Sequence, residues 1–227
     1  MPMLTLGVRV SGVVVVSMVT SLAGHPSANP VRLASPPLLV LNIHLTTTDG
    51  LPVSSRGVLI GEAQSIWERG HVSLKWLRDK SDAGGDPVLR VLVVARPVTT
   101  PEHTPWTVAE LVRPEGFNAV AIASTTGARR ILDESRWAQM MPPTALYDYR
   151  LGIVLGRAVA HEIGHYLLRT STHAKEGLMR ARIDAREFAD PRSDRFHLDQ
   201  AAEAHLASLA ATGTLSIETV PGFSYSH

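Results

Sequence analysis

Cysteine is absent from the 227 residues. Its absence excludes disulfides, thiolate zinc ribbons, iron–sulfur clusters and thiol nucleophiles, and leaves His, Asp and Glu to hold any metal. Aromatic residues are scarce, at 5%, which argues against the stacking platforms that single-stranded nucleic acids need. A surplus of charge is missing too, since 22 basic residues face 21 acidic ones. So balanced a chain has no domain-wide basic surface, and no nucleic-acid partner is expected. No Gly-x-Ser-x-Gly elbow and no phosphate loop occur; Gly84-Gly85 lacks both the lysine and the spacing. What is present is 44% apolar residues, enough for a core, and 10 histidines.

The first thirty residues read as an address. Arg9 precedes an apolar segment, Val10 to Ala23, diluted by Ser, Gly and Thr. It falls short of the roughly 20 residues a spanning helix needs but suits the core of a signal peptide. Ser21 and Ala23 make a cleavage site before Gly24, with Ala28 as a second choice and a buried first strand as the structural alternative. The expectation is a signal peptide over 1–23, a linker over 24–37 and a secreted or periplasmic protein with no stable membrane anchor after cleavage. A single domain over 38–213 and a tail over 214–227 complete the division.

Within that domain, Leu38–Leu45 reads as a buried strand. Ser54 or Ser55 caps a helix with Leu59, Ala63 and Ile66 inside and Gly70 as its stop. Val72, Leu74 and Trp76 alternate as a half-buried strand, and Asp82–Pro87 is a turn. Val88–Ala95 is a central strand. A Pro-rich surface segment, Arg96–Pro114, precedes a fourth strand at Asn118–Ala123, and Arg129–Trp137 reads as a possible fifth. Thr144 then caps a helix to about Arg169, with Leu146, Leu151, Val154, Leu155, Ala158, Val159 and Ile163 on or around its buried side. Asp194–Ala210 is a last helix on a stripe of Leu198, Ala202, Leu206 and Leu209, with Gly213 beyond it. The order describes one α+β domain.

The informative string is His161-Glu162-Ile163-Gly164-His165. Histidines four apart on a helix project from one face and can grip one cation. This is the H-E-x-x-H arrangement of zinc hydrolases. Neutral imidazoles leave Zn²⁺ electrophilic, its bound water falls to a pKa near 7, and Glu162 is placed to take the proton as general base. Random placement gives the pattern roughly once in fifty chains of this composition, and here it also lands on a strong helix. A third ligand is required. His173 is the leading choice, eight residues after His165 and past Thr170-Ser171-Thr172, where the chain leaves the helix. Glu176, Asp184 and Glu187 compete with it. Met179 lies six residues beyond His173, either as core packing or as an apolar floor under the metal.

The stretch from His161 to Met179 resembles the metzincin clan of zinc endopeptidases, especially its matrixin-like branch. The resemblance implies a twisted, mostly parallel sheet of four or five strands over an active-site helix, then a small C-terminal part with a Met-turn and a final helix. It implies His161, His165 and His173 as zinc ligands, Glu162 as general base and Met179 as the turn methionine. Two departures stand out: Leu168 occupies the place of the family's Gly, and the third His comes two residues late. His161 to Leu168 also resembles the helix of the ImmA/IrrE-type peptidases, which are intracellular and take a downstream acidic ligand, here Glu187.

The expected function is a secreted Zn²⁺-dependent endopeptidase, hydrolysing a peptide or protein substrate by a Glu162-activated, zinc-bound water. The alternatives are an intracellular-type H-E-x-x-H peptidase with an acidic third ligand, or a zinc-binding protein without turnover. Substrate is expected to pair in extended form with a strand bordering the cleft, assigned to Asn118–Ala123. Arg180, Arg182 and Arg186 read as a solvated charged loop, with a preference for acidic residues near the cut as the alternative.

Overall fold

A computed structural model describes residues 39–48, 51–78, 88–96, 107–113, 119–135 and 143–212. The expected signal segment and linker, the turn at Asp82–Pro87, Gly213 and the tail lie outside the described residues. The elements run β1 (Leu39–Thr47), α1 (Val53–Arg69), β2 (Val72–Leu77), β3 (Val88–Val94), β4 (Ala109–Val112), β5 (Val120–Ser124), α2 (Thr125–Glu134), α3 (Thr144–Leu168), α4 (Ala185–Ala189) and α5 (Gln200–Thr212). The described residues thus form an α+β fold of one five-stranded, mostly parallel sheet and five helices.

The sheet order is β2-β1-β3-β5-β4. β1 pairs in parallel with β2 and β3, and β3 with β5, whereas β4 runs antiparallel to β5 at the edge. Alternation sorts the faces. Leu39, Leu41, Ile43 and Leu45 of β1, and Leu89, Val91 and Val93 of β3, are buried, while Val40, Thr46 and Arg90 are exposed. β3 is central, as its apolar run predicts.

α3 lies against α1 at a distance set by two glycines one turn apart. A Cβ on Gly152 would come 2.6 Å from Val58 Cβ and 2.7 Å from the Ser55 carbonyl oxygen; one on Gly156 would come 2.8 Å from the Leu59 carbonyl oxygen. Only glycine admits backbones this close. Buried polar groups are matched across the same seam: Ser55 Oγ donates to the Asp148 carbonyl at 2.8 Å, and Trp67 Nε1 to the Ala160 carbonyl at 3.1 Å. Residues 150–160 of α3 are buried on every side. The site helix is therefore fixed along its length before its last two turns reach the surface. Leu146 is an exception to the expected stripe, 41% exposed in the first turn.

Four expectations are corrected. The stretch read as a possible fifth strand is helical as far as it is described: residues 125–134 are α2, whose Ser124 cap accepts from the Gly127 amide at 2.9 Å and whose Ala128 and Leu132 face inward. The fifth strand is β4, inside the stretch read as a surface segment. The last helix starts at Gln200 rather than Asp194, because Asp199 caps it by accepting from the Ala202 amide. At the starts of α1 and α3, Pro52 and Pro143 occupy the cap positions in place of Ser54 or Ser55 and Thr144. Among the described residues no helix is long and apolar enough to cross a membrane.

Candidate metal centre

α3 ends where its sequence stops favouring a helix. Arg169 turns into the left-handed region at φ 51°, and Thr170 to Thr172 follow without helical structure. The chain returns so that the His173 ring centroid lies 5.3 Å from that of His161 and 4.9 Å from that of His165. His161 and His165 themselves sit at 4.7 Å, with their Nε2 atoms 3.0 Å apart. One ring nitrogen from each of the three lies within 4.8 Å of the others, the only such group of three metal-binding side chains among the described residues.

The outer nitrogens explain the orientation. His161 Nδ1 lies 2.8 Å from the Leu178 carbonyl oxygen, and His165 Nδ1 lies 2.7 Å from that of Thr170. A carbonyl can only accept, so each Nδ1 carries the hydrogen and each Nε2 presents its lone pair. Two lone pairs facing at this distance repel, and a shared cation turns that repulsion into ligation. Burial strengthens the bias toward neutral rings. It holds His161 down to about 4, against the upward pull of the Leu178 carbonyl, and lowers His165 as well. Neutral imidazole is the form that binds zinc and its transition-metal neighbours, so the donor set fits such an ion.

The loop behind the cluster is built for the Leu178 contact. The Ala174 amide donates to the Met179 carbonyl at 2.8 Å, Gly177 adopts φ 75°, and the Leu178 amide donates to the His197 carbonyl at 2.6 Å. Met179 is buried against Gly164, on the same helix as the two histidines.

Glu162 is buried, and burial pushes its carboxyl up to about 8; the Leu111 backbone amide partly offsets this by donating to it, and nearby Glu110 adds to it. That amide belongs to β4, so the edge strand and the acid meet. Both line an open cleft of about 1030 Å³ together with all three histidines. β5, the strand assigned to substrate pairing, is flanked by β3 and β4 and has no free edge; β4 is the strand that borders the cleft.

The acidic competitors are engaged elsewhere. Glu187 forms a salt bridge with Arg180 and lies 3.9 Å from Arg195. Asp184 caps α4, accepting from the Arg186 amide at 2.8 Å, and Glu176 is exposed and outside the histidine group. Arg186 does not line the cleft, whereas Arg180 and Arg182 do.

Two contributors escaped the sequence reading. Leu111 carried no signal, since its role lies in a backbone amide. Arg157 did: an arginine inside an apolar helix requires buried partners. Its Nε donates to Glu62 Oε1 at 2.7 Å, its Nη1 to the carbonyls of Glu187, Phe188 and Asp190, and its guanidinium lies 4.1 Å from the Phe196 ring centroid. It ties α3 to the segment that supplies Phe188 to the cleft.

Comparison with known protein families, curated proteins and solved structures returns no match for this chain.

Proposed function

We propose that the chain is a zinc-dependent endopeptidase of the metzincin type, with His161, His165 and His173 as ligands, Glu162 as general base and Met179 in the role of the turn methionine. The observation that carries this reading is the meeting of three imidazoles, two of them presenting Nε2 lone pairs, a buried carboxyl and a sheet edge in one cleft. The five-stranded, mostly parallel sheet is compatible with the same family. Its apolar N-terminal segment supports an exported protein.

A bound zinc ion would supply Lewis acidity toward a scissile carbonyl and its attacking water. The chain supplies the rest. β4 offers an extended substrate a strand to pair with, which holds a peptide bond across the cleft. Glu162 takes a proton from the attacking water and returns it to the leaving amine. Its high proton affinity in the bare cleft falls when positive charge enters beside it, so the carboxylate form needed for the first transfer is favoured by the occupied site. Glu187, engaged with Arg180, weighs against an acidic third ligand and so against the ImmA/IrrE-type alternative.

The test is cleavage of a quenched-fluorescent peptide library by the zinc-loaded protein. Expected are turnover by wild type, loss with a zinc chelator, and a loss of 10²-fold or more, on the order usual for general bases, in a Glu162→Gln variant that retains its zinc. Stoichiometric zinc without any turnover would leave a non-catalytic zinc protein; no zinc would end the reading altogether.

A further inference from the structure

The chain as a whole is almost neutral, with 22 basic and 21 acidic residues, yet the cleft is not. Arg113, Arg169, Arg180 and Arg182 line it, against two carboxyl groups, Glu110 and Glu162. They come from three separate segments: the end of β4, the end of α3 and the stretch before α4. Arg180 is balanced by Glu187. Arg113 and Arg182 are exposed, and Arg113 spends one of its N–H groups on the His165 carbonyl, at 2.9 Å, while its charge stays at the cleft wall.

Resting on the peptidase reading, we propose that the cleft selects peptides carrying Asp or Glu beside the bond to be cut, with Arg113 and Arg182 as the selecting residues. A guanidinium presents a planar fork of donors that matches a carboxylate. Several such groups around one concave site focus a positive field on it, and attraction of this kind between exposed groups weakens as salt rises. Ile131, Ile183 and Phe188 line the same cleft and give it apolar wall beside the charged groups.

The test separates selection from turnover. Fluorescein-labelled synthetic peptides of one apolar core, flanked by Glu, Gln or Lys, are titrated into full-length zinc-loaded Glu162→Gln protein at low and high salt. The Glu-flanked peptide should bind at least ten-fold more tightly than the Lys-flanked one, with the gap narrowing in high salt. The doubly substituted Arg113→Gln/Arg182→Gln variant should lose that gap while keeping its zinc and its affinity for the Gln-flanked peptide. Equal binding of the three peptides, or a gap that survives the double substitution, would overturn the proposal, the latter by assigning it to the metal's own charge. Wild-type turnover of the Gln-flanked peptide reports separately on the peptidase reading, so either can fail without the other.

Discussion

Gly164 and Met179 interlock: a Cβ placed on Gly164 would overlap the methionine sulfur. The helix carrying two imidazoles and the loop whose Leu178 carbonyl orients one of them are thus packed in contact here as well as through the His161–Leu178 hydrogen bond. A mid-helix glycine normally costs about 1 kcal/mol relative to alanine, so this one is retained against local preference.

Gly164→Ala should therefore destabilise the protein rather than stabilise it, by about 1 kcal/mol, the low end for an overpacked core, because what must shift is the buried end of the Met179 side chain. Thermal melts decide the sign. In a Met179→Ala background the same substitution should cost clearly less, because the two positions share one space. An unchanged or raised Tm in Gly164→Ala alone would remove the interlock.

His173→Ala should lose most of its zinc on dialysis, while wild type holds one ion per chain. The affinity loss should exceed the roughly 10–100-fold that removal of an outer hydrogen-bonding partner costs. Metal content by mass spectrometry, with a melt to show folding, is the check. Undiminished zinc would exclude His173 as a ligand.

In the metal-free protein two buried groups oppose each other in pH. His161, held down to about 4, resists a proton that the unfolded chain accepts near 6.5, so stability falls as pH drops through that window. His165, also lowered by burial, adds to this acid-side loss. Glu162, pushed up to about 8, keeps a proton that the unfolded chain releases near 4.5, so stability falls as pH rises from 4.5 through 8. Above pH 6.5 only the Glu162 loss remains, about 2 kcal/mol by pH 8. Melts in chelator should show that alkaline decline in wild type and not in Glu162→Gln; a decline of equal size in both would assign it to another group.

Arg157 is 1% exposed at its side chain and its partner Glu62 is 18% exposed. Removing one member of a buried pair typically costs roughly 3–5 kcal/mol, and Arg157→Met also strips donors from four backbone carbonyls. Urea titration should rank Arg157→Met as more destabilising than Glu62→Gln. The reverse order would mean that the carbonyl contacts contribute little.

The elements that announced themselves were those whose stability is local or periodic. The run from Leu151 to Ile163 is apolar enough to demand burial, and Thr170 to Thr172 end it, so both the site helix and the return of His173 were legible. β4 was not. Its four residues are all half-buried, they show no alternation, and they exist as a strand because β5 offers an edge. The strand error at residues 129–134 has a different cause, since Thr125, Thr126 and Gly127 are poor helix formers and the helix depends on the Ser124 cap and the burial of Ala128 and Leu132. Placing substrate on β5 followed from missing β4. Sequence periodicity reports which side chains want burial, but not which strand is left at an edge.

Two of the three imidazoles stand on a rigid helix, oriented by carbonyl acceptors, while the third is exposed and enters from a loop closed by the Ala174–Met179 hydrogen bond. That division separates capture from residence. A metal ion bound there would meet two donors already aligned on the helix, and His173 would be the ligand with the freer backbone. Substitutions in the 170–180 loop would then be expected to change how fast metal exchanges, with little change in how the helix receives it.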